Sequence, residues 1–256
     1  MARMHVSPHK LLRNLRLAEV ELVRPLFPSD ARILELGGGS GYQASVIAGW
    51  GYRITSVDII PSSQYFPVET YNGQYIPAAA GSFDLVFSSN MLEHVPPPQL
   101  PLLLKQTRRI LASGGLSIHL LPTPAWRIFN SMAHYPFVCR ILKEHLLRGS
   151  APTPAPTDSV WIQQSKPSVR ALRFLRWSLT NSMRAHGAYA SAISELYYFS
   201  KRRWSKLFTN AGFDVLSVRG NALTYSGYWL CPWLSLAWRK RLSLFLGSAC
   251  NIFVLR

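Results

Sequence analysis

Apolar residues recur every three or four positions between residues 9 and 27, the spacing of a helix with one buried stripe. Pro28 and Asp30 close that helix, and the period then shortens. Ala31-Arg32-Ile33-Leu34-Glu35-Leu36 reads as a short buried strand that runs into Gly37-Gly38-Gly39-Ser40-Gly41. A helical pattern resumes over 42–49 and stops at Gly49 and Gly51. Arg53–Asp58 is a second strand, Val68–Tyr71 a weaker third, and Phe83–Ser88 a fourth. Glu93-His94 opens the helix that follows, clearest over Gln99–Leu111, with Gly114-Gly115 as its stop. Leu116–Leu121 is a fifth strand.

Strands alternating with helices predict an α/β, Rossmann-like doubly wound fold with a mostly parallel seven-stranded sheet. Right-handed crossovers place the strand C-termini on one edge, where ligands bind. The rhythm breaks at Pro122. Helical pieces at about 125–148 and 167–186 flank a Pro/Ser/Thr-rich stretch, Gly149–Ser159, that reads as a mobile loop. Ser200 caps a helix ending at Ala211-Gly212, Phe213–Arg219 is a sixth strand, and Asn251–Arg256 closes the sheet. The expected organisation is one domain, with a core of about 28–121 and 195–256 and a helical insertion at about 122–194. Leu242–Leu255 is apolar but only 14 residues long and is interrupted by Gly247, Ser248 and Asn251. It is too short to span a bilayer and reads as a helix followed by the last strand, so no transmembrane segment is expected.

Charge adds an asymmetry that periodicity does not show. Residues 1–121 hold 10 Lys/Arg against 8 Asp/Glu, and residues 122–256 hold 18 against 4, so +14 of the net +16 lies in the second half. Anionic lipid surfaces, phosphorylated substrates and nucleic acid are all compatible partners. Lys166, Arg170, Arg173, Arg176 and Arg184 fall mostly on one helical face, accompanied by Phe174 and Trp177, as in helices that lie on anionic membranes. A solvated face over a packed lid is the competing reading. Trp126, Trp161, Trp177, Trp204, Trp229, Trp233 and Trp238 all lie in this half. The three cysteines, Cys139, Cys231 and Cys250, form no CxxC pair, so neither a disulfide framework nor a zinc site is expected. The N-terminus lacks the apolar run and small-residue cleavage site of a signal peptide. The location read from these features is cytoplasmic, with membrane-peripheral contact left open.

The chemistry concentrates at two strand ends. Glycines between a strand and a helix let backbone N–H groups approach a ligand. The spacing from Gly37 is G-x-G-x-G; a dinucleotide fingerprint fails because Tyr42 stands at its sixth position. Glu35, two residues before the first glycine, suits a ligand carrying an ammonium group. Asp58 ends the second strand, where a carboxylate can accept hydrogen bonds from both ribose hydroxyls of a nucleoside.

With those residues in place, ILELGGGSGY, ITSVDI, GSFDLVFSSNMLEHV and RRILASGGLSIHL, in that order, resemble the class I S-adenosylmethionine-dependent methyltransferases. The likeness is to the type 11-like small-molecule group that includes quinone-biosynthesis enzymes. It covers residues 30–121 well and 195–219 and the last strand loosely. It implies S-adenosyl-L-methionine as cofactor. Glu35, Gly37, Gly38, Gly39 and Gly41 would face its methionine part. Asp58 would hold the ribose, Ile59 would pack on the adenine, and Ser89 and Asn90 would line the methionine side and the acceptor mouth. The family's acid near the adenine amino group is replaced here by Asn72, an amide that can still hydrogen-bond adenine.

Methyl transfer from a sulfonium needs a positioned nucleophile and, for an oxygen acceptor, a base. His94, on the ligand edge, is the candidate base; a packing histidine is its alternative. His119 reads as a buried core histidine and His186 as a helix-end cap. Glu195 reads equally as a pocket or a surface residue. The expected function is methylation of a small-molecule or of a lipid- or sugar-linked acceptor under a lid formed by the insertion. An RNA methyltransferase and a non-catalytic cofactor-binding protein are the alternatives, although no RNA-binding module and no Asn-Pro-Pro-Tyr type motif is present. No metal is expected.

Overall fold

A computed structural model describes residues 8–148, 167–228 and 230–256. The expected loop Gly149–Ser159 lies outside the described residues, as do Lys166, Trp161, Trp229 and the side chain of Arg170.

The first helix, α1 (Pro8–Val23), gives way at Pro25 to a 3-10 turn over Arg24–Leu26. The first half of the chain then lays down β1 (Arg32–Leu36), α2 (Tyr42–Gly49), β2 (Arg53–Asp58), β3 (Glu69–Thr70), β4 (Phe83–Ser89), α3 (Leu100–Ile110) and β5 (Leu111–Pro122). The segment after β5 forms α4 (Pro124–Arg148), α5 (Pro167–Thr180), α6 (Ala192–Tyr198) and α7 (Lys201–Asn210). β6 (Val215–Gly220), α8 (Leu236–Leu246) and β7 (Cys250–Leu255) complete it.

The described strands form one seven-stranded sheet in the order β3-β2-β1-β4-β5-β7-β6. β1 pairs in parallel with β2 and β4, and β4 with β5, while β7 runs antiparallel to both of its neighbours. The sheet is mostly parallel and Rossmann-like, as the alternation predicts. The strand order reverses between β1 and β4, which opens a crevice at their C-terminal ends.

Alternation of side chains along each strand builds two cores. Leu34, Leu36, Val86, Leu121 and Phe253 pack with Leu103, Leu104, Trp204 and Phe208 from α3 and α7. Ile33, Leu85, Phe87, Ile118 and Ile252 pack with Val20, Val23 and Ile47 from α1 and α2 on the opposite face.

Several expected boundaries shift, each for a local reason. Pro96, Pro97 and Pro98 lack the N–H groups a helix needs, so Glu93-His94 does not open α3. Those two residues sit in a separate 3-10 turn, Leu92–His94. Gly114-Gly115 does not stop the chain: β5 starts at Leu111, and the glycines sit in a bulge where pairing jumps from Phe83–Leu111 to Leu85–Leu116. β3 is only two residues, shorter than the Val68–Tyr71 expected. β6 and β7 are each displaced from their expected ranges by one or two residues. α5 ends at Thr180, and a 3-10 turn, Asn181–Met183, follows it.

Candidate active site

The loop Gly37–Gly41 joins β1 to α2 at the strand reversal, over the C-terminal ends of β1 and β2. Gly37 N–H and Gly38 N–H both donate to Val57 O, which fixes the start of the turn. Asp58 reaches back to the same turn: its Oδ2 accepts from Gly39 N–H at 2.8 Å and its Oδ1 from Ile60 N–H at 3.0 Å. Its side chain is thereby locked in place, with lone pairs left over for a ligand. The 59–68 segment folds over the far side of the turn, where Ser62 N–H donates to Gly39 O and Tyr65 N–H to Ser40 O, each at 2.9 Å.

Beneath the turn lies Glu35. Its carboxylate is buried, and Ser56 donates to Oε2 at 2.6 Å. Burial pushes the group up to about 7; the Ser56 hydrogen bond works against this, and the nearby Asp58 charge adds to it. A Cβ on Gly38 would collide with Ser56 Oγ and stand 3.0 Å from Glu35 Oε2. Only glycine lets the turn lie directly on this pair.

A cavity of about 260 Å³ opens beside the turn. Gly37, Asp58, Ile59, Asn90 and His94 line it, together with Tyr71, Gly73, Met91, Val95, Pro96 and Gln99. Ile59 leaves 56% of its surface exposed at the rim, an apolar side chain without a core to enter. Tyr71 is pushed up to about 12 by burial and then by the Asp58 charge. Asn90 holds a left-handed backbone (φ 51°), with Nδ2 donating to Ser89 Oγ and Oδ1 accepting from Cys250 Sγ.

The structure therefore gathers five of the expected residues around one space. Glu35, Gly38, Gly39, Gly41 and Ser89 are not among the lining residues: Gly38 lies on Glu35 and Ser56, and Gly41 packs against Phe66. Asn72 does not reach the cavity. Its Oδ1 accepts from Gln74 N–H and Tyr75 N–H and closes a local turn. Tyr71 and Gly73, its neighbours, line the space in its place. Met91, Pro96 and Gln99 line the space as well; of these only Met91, two residues past the end of β4, carries the strand-end signal in the sequence.

The remaining histidines separate cleanly. His119 is a fully buried core residue, its Nδ1 2.7 Å from Ser88 Oγ and its Nε2 2.8 Å from Ser117 Oγ. Burial pushes it down to about 3. His186 caps no helix. It lies in an irregular segment after the 3-10 turn, with its ring 4.9 Å from that of His94 and 4.7 Å from that of Trp126. Desolvation lowers both His94 and His186, the latter to about 4.

Glu195 is neither a surface nor a cavity residue. Its Oε1 accepts from His186 N–H at 2.7 Å and Gly187 N–H at 2.6 Å, and its Oε2 lies 3.2 Å from Arg127 Nε. Arg127 also donates to Ser182 O and Arg184 O, both at 2.9 Å. This buried network fixes the 181–187 segment against α4 and α6. Ala188 N–H donates to Glu93 O at 2.9 Å, so the same segment is tied to the cavity wall.

A family model described as a methyltransferase domain matches residues 8–218. A ubiquinone biosynthesis O-methyltransferase of Xanthomonas axonopodis pv. citri is 31% identical over 123 residues, 43% of this chain and 51% of the relative. An uncharacterized methyltransferase of Mycobacteroides abscessus is 35% identical over 99 residues, 34% of this chain and 38% of the relative. The chain thus spans about half the length, or less, of these curated relatives. Among solved structures, an S-adenosylmethionine-dependent methyltransferase of Mesorhizobium loti superposes with a TM-score of 0.53 at 16% identity, covering 93% of this chain and 97% of the other. A SAM-dependent methyltransferase of Archaeoglobus fulgidus gives 0.53 at 14% identity, covering 95% and 93%. At these identities the likeness speaks for the fold.

Proposed function

The chain belongs to the methyltransferase-domain family, and from that premise we propose that it transfers the methyl group of S-adenosylmethionine to an oxygen of a small or lipid-linked acceptor. The observation that carries this reading is Asp58, at the end of β2, locked by Gly39 and Ile60 and facing the same cavity as Gly37 and His94. Asp58 would take the ribose hydroxyls, Ile59 and Tyr71 the adenine, and the amides of the glycine turn the methionine part. Glu35 beneath the turn supplies negative charge toward the methionine ammonium.

Asn90, Met91 and His94 line the rest of the cavity, where the methyl group and the acceptor would meet. Bound S-adenosylmethionine would supply a methyl group activated by its sulfonium, with the thioether as leaving group for an acceptor oxygen. The acceptor's proton passes to His94, the imidazole that lines this space. The ubiquinone O-methyltransferase relative favours a small-molecule acceptor.

The basic second half suggests where a lipid-linked acceptor would be met. Leu172, Leu175 and Leu179 of α5 are 67%, 55% and 63% exposed on one stripe, with Arg173 and Arg176 exposed beside them. An apolar stripe edged by arginines suits the surface of an anionic membrane. No described helix is long and apolar enough to cross one.

The deciding experiment is calorimetric titration with S-adenosylmethionine. The wild type binds, and Asp58→Ala binds about 100-fold more weakly, as expected for losing two charge-assisted hydrogen bonds. Equal affinity in a folded Asp58→Ala variant removes the ribose assignment.

A further inference from the structure

Glu93 is fully buried, and neither of its carboxylate oxygens has a hydrogen-bond partner among the described residues. A carboxylate withdrawn from water without partners is costly, and such a group either holds a proton or meets a cation. The neighbouring charges do not meet it. Arg16 is paired to Glu19 at 2.6 Å, and Arg127 to Glu195 at 3.2 Å. Two guanidiniums and two carboxylates cancel, and Glu93 is the acid left over.

Two imidazoles stand beside it. One ligand atom each from Glu93, His94 and His186 lies within 4.8 Å of the others, close to the spacing around a shared ion. His94 Nε2 is 3.8 Å from Glu93 Oε1. With metal–ligand bonds of about 2.1 Å, ligand atoms sit no more than about 4.2 Å apart, so a small rotation of the exposed rings closes the set. The backbone that presents His186 is itself held, by Glu195 at His186 N–H and Gly187 N–H and by the Ala188-to-Glu93 hydrogen bond.

We propose that Glu93, His94 and His186 bind a divalent transition-metal ion, of which Zn²⁺ is the representative, at the inner wall of the cavity. Two imidazoles and one carboxylate select such ions over Mg²⁺ and Ca²⁺, which prefer all-oxygen shells. Three protein ligands leave positions open toward the cavity that His94 lines. An oxygen of the acceptor can fill one. The ion then polarises that oxygen and sets its direction toward the methyl group.

The chemical use rests on the methyl-transfer reading; the site itself does not. With the ion bound, the His94 lone pair is a ligand, and the acceptor's proton leaves a metal-bound hydroxyl for water. In the metal-free protein His94 takes it directly.

The test is equilibrium dialysis of chelator-treated full-length protein against Zn²⁺, with Mg²⁺ as control, beside titration of the same samples with S-adenosylmethionine. One Zn²⁺ per chain is expected, with at least about 100-fold weaker binding in His186→Ala and in the isosteric Glu93→Gln. Both variants keep the wild-type cofactor affinity to within a few-fold. Co²⁺ on the wild type gives visible bands of a nitrogen- and oxygen-ligated ion, so the site is readable even where a variant does not fold. Absence of bound Zn²⁺, or stoichiometric binding that survives both substitutions, overturns the site. Loss of cofactor binding by the wild type would instead overturn the methyl-transfer reading and leave the metal result standing.

Discussion

Ser56 on β2 donates a 2.6 Å hydrogen bond to Glu35 on β1, and Gly38 lies directly on the pair. The contact stabilises charge on an acid that burial otherwise keeps near neutrality. An ammonium group bound on the turn above, as proposed for the cofactor, would favour the same ionised state.

Cofactor binding should therefore strengthen as the pH rises through about 7, because Glu35 no longer has to release a proton on binding. The sign for folding is opposite. The raised acid holds its proton in the folded state, so the cofactor-free protein loses stability as pH rises from about 4.5 to about 7. Titrations at pH 6 and pH 8 read the first effect. Glu35→Gln should flatten it, and a slope unchanged in that variant counts against Glu35.

His119 gives a second pH signature. Its folded-state value of about 3 lies below the ordinary value of 6.5. The stability it leaves intact is complete above pH 6.5 and is lost as pH falls toward 3. The full loss is on the order of 5 kcal/mol by linkage. Chemical denaturation of wild type and His119→Asn between pH 7 and pH 4 isolates it, since the variant has no imidazole to charge. Parallel curves would remove the assignment.

Gly187→Ala should separate acceptor handling from cofactor handling. A Cβ there would collide with the Glu93 carbonyl oxygen, a backbone atom that cannot turn aside. The 181–188 segment must shift, at about 1–3 kcal/mol. We expect S-adenosylmethionine affinity within a few-fold of wild type and methyl transfer reduced by at least about tenfold, since misplaced groups at a reacting centre cost rate steeply. Full turnover in a folded variant would show that this segment does not shape the acceptor site.

The α5 stripe should bind membranes of phosphatidylserine and phosphatidylcholine and release them at high salt. Leu172→Glu with Leu175→Glu should abolish co-sedimentation with those vesicles. Retention by the double variant, or a preference for RNA over vesicles, would assign the basic surface elsewhere.

Glycines and prolines explain much of what could be read locally. The strand Ile33–Leu36 was legible because its apolar run ends on a glycine turn, and Asp58 because it ends the next strand in register with it. Boundaries failed where one residue type had two uses. Gly114-Gly115 reads as a stop but makes a bulge, and Glu93-His94 reads as a helix start until the prolines behind it are counted. Asn72 was singled out by its position; its side chain instead closes the turn that brings Tyr71 and Gly73 to the cavity.

The sequence by itself determined the sheet, its layered cores, the glycine turn and the acid that faces it, because these depend on periodicity and on neighbours a few residues apart. Only the tertiary structure decided that His186 meets His94 and Glu93, and that Glu195 is consumed in holding that segment. Those contacts join residues far apart in the chain. They form because Glu195 holds the His186 and Gly187 amides and Ala188 N–H reaches Glu93 O, hydrogen bonds between elements that no local pattern records.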